Sequence, residues 1–462
     1  MKGYDSYKES GIDGIGSIPK GWHRTKLKNL VCQRITDGPH ETPEWTDNGV
    51  PFISAEAIRI NVIDLAYKRG YISEEQHAIY SKKSKVQKGD ILFCKSGSTT
   101  GKSAYVDIEE EFGIWSPLAI IRASKEKADG RFLFSFIQSS VFKYQVETNW
   151  TFGTQPNIGM GALENLWIAF PESMQEQTQI AKYLDYKTQQ IDDLIAKKEQ
   201  LIKLLEEERT ALINELVTGK KVWDGKGFSK PTKTKDSGID WLGEIPEDWE
   251  VKKLKRVFKF STGLSITREN LSNSGVPCIN YGEIHSKYGF EVNPEKDYLK
   301  CVNEGYLESS TKSLLKKGDF VFADTSEDIE GCGNFSHVTG EAQIFAGYHT
   351  VIAQPLVQIN ARFFAYIFTS QPFRNQVRSS VKGIKVFSVT QSILKNTTVW
   401  MPTLENQRRI SETIKLKEGR IKSAVDKMVS EIDLLKEYKK SLISEVVTGK
   451  VDVRNEVIPE EN

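Results

Sequence analysis

Apolar residues recur every seven positions near the C-terminus, at Ile414, Ile421, Met428, Leu435 and Leu442. The positions 230 residues earlier read Leu184, Ile191, Lys198, Leu205 and Leu212. A second stripe reads Leu194 and Leu201 in the first helix and Ala424 and Tyr438 in the second, and a third places Ile195, Ile202 and Leu216 over Val425, Ile432 and Val446. A seven-residue repeat held this long predicts two long helices with coiled-coil packing, from about 175 to 217 and from about 405 to 447. Gly219 and Gly449 stand where C-terminal caps belong. Stripes of this length need a partner, and the economical one is the other helix.

The rest of the chain has a shorter period. The apolar runs at 90–93 and 319–322 each follow a Lys-Gly turn and predict strands. Pro51-Phe52-Ile53 and Pro277-Cys278-Ile279 form another matched pair of strands. Residues 131–144 and 362–377 carry clustered phenylalanines and predict one helix each. Residues 166–171 and 398–402 predict a last strand stopped by proline. The class is α+β.

These matches belong to a duplication. Ser10-Gly11-Ile12-Asp13…Ile18-Pro19…Trp22 returns as Ser237-Gly238-Ile239-Asp240…Ile245-Pro246…Trp249, and Val217-Thr218-Gly219-Lys220 returns as Val447-Thr448-Gly449-Lys450. The offset is 227 at the start of the repeat and 230 at its end. The expected layout is a mixed α/β domain over 1–172, a helix over 173–219, a linker over 220–236, a second mixed domain over 237–403, a second helix over 404–449 and a tail over 450–462. A helix of about 43 residues is roughly 64 Å long, whereas a domain of about 165 residues has a radius of gyration of roughly 15 Å. Parallel helices would make the second domain carry the chain back along the whole helix. The expectation is therefore an antiparallel coiled coil with a domain towards each end, a pseudo-two-fold object suited to a two-part target.

Composition narrows the class. The 39% apolar and 27% charged content is that of an ordinary globular protein. No run of 18 apolar residues suggests a membrane span, and the polar N-terminus lacks a signal-peptide core. The five cysteines are scattered without a CxxC pair, which predicts reduced thiols, a cytoplasmic protein and no zinc site. The net charge of +1 says little as a total, but its distribution says more. Residues 342–404 contain no Asp or Glu while holding Arg362, Arg374, Arg378, Lys382, Lys385 and Lys395. Its apolar part reads as buried structure; Arg374, Arg378, Lys382 and Lys385 read as a surface facing an anion.

No catalytic constellation emerges. Residues 96–103 end in Gly-Lys-Ser but miss the phosphate-loop spacing by one residue, because Ser96 stands where glycine is required. The loop still offers Lys95, Ser98, Thr99 and Lys102, which suit either phosphate contact or a plain turn. Residues 36–43 read as a turn-rich loop, either structural or presenting Thr36, Asp37, His40 and Thr42 to base edges. Residues 149–157 and 379–388 are equivalent by the repeat. The first offers Asn149, Thr151 and Gln155, the second Lys382 and Lys385, so one scaffold could read two different sequences. No adenine-methylase loop, His/Cys metal pattern or nuclease cluster is present, which argues against a self-sufficient methylase or nuclease and predicts no metal site.

With these motifs in order, the chain resembles the specificity subunits of type I restriction–modification systems over nearly its whole length. The carriers are the two Ile-Pro…Trp openings, the Lys-Gly-Asp strand entries, Pro171…Glu176-Gln177…Ile180 with Pro402…Asn406-Gln407…Ile410, and the repeated Val-Thr-Gly. Asn406 departs from the family's more usual Glu, which should affect a cap and not the function. The resemblance implies two target-recognition domains, each reading half of a bipartite site in double-stranded DNA, with the coiled coil setting the gap. It implies a non-catalytic chain without cofactors of its own. Two methyltransferase subunits would bring S-adenosylmethionine for adenine methylation, and restriction subunits would bring ATP and Mg for cleavage. The rival reading is a coiled-coil adaptor that binds protein and no DNA.

Overall fold

The computed structural model describes residues 2–59, 62–383 and 385–459. The chain divides into two compact units, residues 1–200 with 428–462 and residues 201–427. The division falls inside both long helices, Met174–Val217 and Leu404–Val447, so each unit holds one mixed domain and a segment of each helix.

In the first unit a hairpin pairs Tyr7–Glu9 with Ser17–Pro19, and Trp22–Lys26 then pairs with Trp167–Pro171. A four-stranded sheet runs in the order Thr36–Asp37, Leu118–Ile121, Ile91–Cys94, Ser103–Tyr105, beside a three-stranded sheet of Gly70–Ile72, Val50–Ile53 and Gly113–Ile114. All four residues of Ile91–Cys94 are buried, because both faces of the strand are covered. Ile91 and Phe93 enter the core beneath the helices, and Leu92 and Cys94 enter the core on the opposite side. This two-sided burial is why the segment reads as an unbroken apolar run.

The second unit repeats the plan with additions. Thr234–Asp236 pairs with Glu244–Pro246, and Glu250–Lys253 with Thr398–Met401. Its larger sheet has five strands, Phe258–Thr262, Thr350–Pro355, Phe320–Ala323, Phe335–Val338 and Phe290–Val292. Phe320 and Phe322 face one core while Val321 and Ala323 face another, as in the first unit.

Three expectations are corrected. The stretches 131–144 and 362–377 are not single helices but pairs: Gly130–Gln138 with Ser140–Asn149, and Ala361–Thr369 with Gln371–Ser380. Ser139 and Ser370 sit at the breaks in extended backbone. The Ser139 hydroxyl donates to the Phe136 carbonyl at 2.6 Å and accepts from the Phe142 amide at 3.2 Å, closing one helix and opening the next. Ser370 donates to Ile367 in the same way, and Pro372 opens the following helix. The stretch taken as a linker holds a hairpin, Val222–Trp223 with Phe228–Ser229, and Arg409 lies over the Trp223 ring. Finally, the stripe through Leu194, Leu201 and Tyr438 is exposed. A 3.5-residue seam accommodates two stripes, and the first and third fill it.

Within the first unit the helix segments are antiparallel. Asp192 pairs with Lys439 and Lys198 with Glu431, so numbers rise on one helix as they fall on the other. The second unit shows the same sense, with Arg209 on Glu418 and the late residues Ile213 and Leu216 in one core with the early residues Ile410 and Ile414. Gly219 and Gly449 both have φ of 71°. Gly449 abuts Pro19 and Trp22 in the first unit, and Gly219 abuts Pro246 and Trp249 in the second. Lys450 Nζ bonds the Ser17 carbonyl, and Lys220 Nζ bonds the Leu242 and Glu244 carbonyls. The repeated Val-Thr-Gly-Lys therefore locks onto a repeated Ile-Pro…Trp. The tail follows: Val453 is buried, the Asp452 amide donates to the Lys2 carbonyl, and Gln179 binds the Val453 and Glu456 carbonyls. Among the described residues no helix is long and apolar enough to cross a membrane.

Candidate nucleic-acid interface

In the first unit three of the singled-out segments meet beside one end of the larger sheet. Thr36 and Asp37 are in a strand rather than a loop, paired with Ile120 and Ala119, and the turn begins after them. Asp37 is 1% exposed and binds Lys83 at 2.8 Å, Lys95 at 3.2 Å and His40 at 3.0 Å. Burial alone would raise its pKa, but the hydrogen bonds and charges of Lys83 and Lys95 outweigh that and hold it below the ordinary aspartate range. Lys95, with a side chain 12% exposed, is thus committed inward, which revises its reading as a phosphate contact.

The next turn is tied to the third segment. The Lys95 carbonyl accepts from the Ile158 amide, the Gly97 amide donates to the Pro156 carbonyl, and Thr100 Oγ1 donates to the same carbonyl. Hairpin Thr151–Phe152 with Pro156–Asn157 is thereby held against residues 95–102. His40, Thr42, Ser98, Lys102, Asn149, Thr151 and Gln155 are exposed around this junction, and Thr99 is half-buried. Asn149 caps its helix end through the Gln145 carbonyl, and Thr151 Oγ1 bonds the Asn157 carbonyl, so both are oriented by local backbone.

The second unit builds the same junction with different side chains. The Val389 amide donates to the Asp324 carbonyl, as Ile158 does to Lys95, and Thr325 pairs with Ser388. Arg374 does not face an anion. It turns inward to the Cys332 carbonyl at 3.1 Å and Asn334 Oδ1 at 2.8 Å, and burial, helped by neighbouring Arg378, pushes its pKa down to about 10. Arg378 binds both the carbonyl and the carboxylate of Glu330. The two arginines clamp the loop over residues 324–333, whose carbonyls and Glu330 supply the acceptors that residues 342–404 lack. Lys382 and Lys385 are exposed, in the segment that leads into Ser388.

Sequence reasoning missed two aromatic groups. In the second unit Tyr281, Tyr348 and His349 form one cluster, with Tyr281 to His349 at 5.3 Å and Tyr281 to Tyr348 at 5.7 Å. In the first unit exposed Trp45 stands 6.0 Å from Trp115, and Arg69 lies over the Trp115 ring. Tyr281 lies far along the chain from Tyr348 and His349, as Trp45 does from Trp115, so neither group is visible as a local motif.

Two copies of one fold, each joined to a coiled-coil segment and differing in the loops at a shared junction, define a duplicated recognition scaffold. The family model for the type I restriction modification DNA specificity domain matches twice, over residues 19–204 and 246–421. The chain belongs to that family. It is similar to the type I restriction enzyme MjaVIII specificity subunit of Methanocaldococcus jannaschii, with 26% identity covering 97% of this chain and 98% of that one. It is similar also to the EcoKI specificity subunit of Escherichia coli strain K12, with 23% identity covering 86% and 82%. In fold it matches a chain from a solved type I R-M system complex with a TM-score of 0.71 at 15% identity, covering 94% of this chain and 99% of that one. The HsdS subunit of Thermoanaerobacter tengcongensis matches with a TM-score of 0.57 at 16% identity, covering 94% and 98%.

Proposed function

We propose that this chain is the DNA-reading, non-catalytic subunit of a type I restriction–modification complex, in which each domain reads one half of a bipartite site in double-stranded DNA. The observation that carries this reading is the shared junction. The backbone bonds from residue 95 to 158 and from 324 to 389 are the same, while the loop that follows changes from one flanked by Lys95 and Lys102 to an acidic one with Asp324, Glu327, Asp328 and Glu330. A scaffold kept constant while its exposed groups diverge is what two different DNA words require. In the first domain Lys102, Ser98, Thr99, His40, Thr42, Asn149, Thr151 and Gln155 are the groups offered to DNA. In the second, Lys382 and Lys385 are offered to its backbone.

The partners are two methyltransferase subunits, which would supply S-adenosylmethionine chemistry on adenine, and restriction subunits, which would use ATP and Mg. Such a complex acts where the DNA is, in the cytoplasm. Exposed apolar residues on the helices, Leu194 and Leu434 in the first unit and Leu204 and Leu416 in the second, give the methyltransferase subunits an apolar surface to cover. Charge reversal tests the DNA contacts. Lys102→Glu and Lys382→Glu should each weaken DNA binding by about tenfold and lower the salt slope of binding by about 1 per lost phosphate contact, with melting unchanged. Unaltered affinity in both variants would reject these loops.

A further inference from the structure

Among the described residues two that are not glycine have positive φ, Phe290 at 80° and His349 at 55°. Packing accounts for Phe290, whose ring meets Phe335, His337 and Tyr366. His349 differs, because its side chain is 58% exposed and belongs to no buried core. A left-handed residue persists only when its surroundings hold it, and such residues concentrate at binding sites.

The surroundings here are specific. The Asp324 amide donates to the His349 carbonyl at 3.1 Å, and His349 Nδ1 meets Asp324 Oδ1 at 3.2 Å. The rings of Tyr281 and Tyr348 stand edge-on to the imidazole at 5.3 and 5.9 Å. A carboxylate only accepts, so when the ring is neutral Asp324 favours the tautomer with its hydrogen on Nδ1, which leaves Nε2 as an acceptor. An exposed, oriented acceptor of this kind matches the exocyclic amine of adenine or cytosine in the major groove.

The repeat supplies a second, independent argument. The bond from the Asp324 amide to the His349 carbonyl has its counterpart in the bond from the Lys95 amide to the Pro117 carbonyl in the first domain. The scaffold bond is common to both. The side chains are not, since the first domain has proline there and a lysine turned inward onto Asp37. Next to Asp324, Thr325 pairs with Ser388, in the segment that carries Lys382 and Lys385.

We propose that His349, positioned by Asp324 and flanked by Tyr281 and Tyr348, is a base-reading residue of the second domain and accepts a hydrogen bond from the exocyclic amine of adenine or cytosine. This rests on the function proposed above and names a specificity determinant within it. The test uses the full chain in complex with its methyltransferase subunits, with methylated adenines mapped across genomic DNA. His349→Gly removes the ring and tolerates the left-handed backbone. It should relax one base position in one half of the motif, by about tenfold in discrimination, and leave the other half intact. Asp324→Asn, which loosens the choice of tautomer, should alter the same half. If His349→Gly fails to assemble, His349→Ala carries the same test, because alanine also removes the acceptor and adds only a small backbone strain. An unchanged motif in these variants, or equal loss in both halves, overturns the proposal while leaving the bipartite reading in place. A wild-type complex without a two-part motif overturns both.

Discussion

Gln177 and Gln407 show how much one buried side chain can carry. Gln177 Nε2 donates to the Pro171 carbonyl and its Oε1 accepts from the Asp129 amide, joining the last strand to the start of the phenylalanine-rich helix. Gln407 makes the equivalent bonds to Pro402 and Asn360. Replacing either by Leu strands one buried donor and one buried acceptor, and should cost about 3 kcal/mol. Urea unfolding followed by tryptophan fluorescence would measure it. Asp37 gives a prediction of a different kind. Its folded pKa is depressed, so its contribution is fully present above the ordinary aspartate pKa of about 3.9 and is lost as pH falls through the folded value. Asp37→Asn should remove that part of the acid limb, seen as a shallower fall in urea midpoint below about pH 4. Neither role could be read locally. Asp37 looked like a loop residue because its partners, Lys83 and Lys95, are far along the chain, and Arg374 looked like a surface cation because Cys332 and Asn334 are likewise distant.

Among the elements, the long helices were the most legible, because their period and their terminal glycines are local signals. The exposure of Leu194 and Leu201 was not legible, since apolar spacing reports a helix face without saying what covers it. The helix breaks were missed for another reason: Ser139 and Ser370 are single residues inside apolar runs, and serine is a cap only when its neighbours let the backbone extend. The glycine caps yield the prediction at this scale. A Cβ at Gly449 would lie 2.4 Å from Pro19 Cδ, and one at Gly219 would lie 2.3 Å from Pro246 Cδ, each with a left-handed backbone. Gly449→Ala should loosen the first unit and Gly219→Ala the second, each by at least about 1–2 kcal/mol. Limited proteolysis should then cut early in the unit that carries the substitution and spare the other.

For the whole molecule, duplication organises both the fold and the function. The repeated residues are those that hold the scaffold together: Ile-Pro…Trp, the buried glutamines, and Val-Thr-Gly-Lys. The residues that fail to repeat, such as Lys95 over Asp324 and Pro117 over His349, gather at the junction we propose faces DNA. That division was partly visible in the sequence, since an unrepeated loop inside a repeated frame stands out. Which of its side chains turn outward depended on contacts across the sheet. Methylated-adenine mapping of DNA modified by the full complex tests the account most directly. It predicts an interrupted motif of two defined halves separated by a fixed stretch of unspecified bases. A single uninterrupted motif, or methylation without sequence preference, would contradict it.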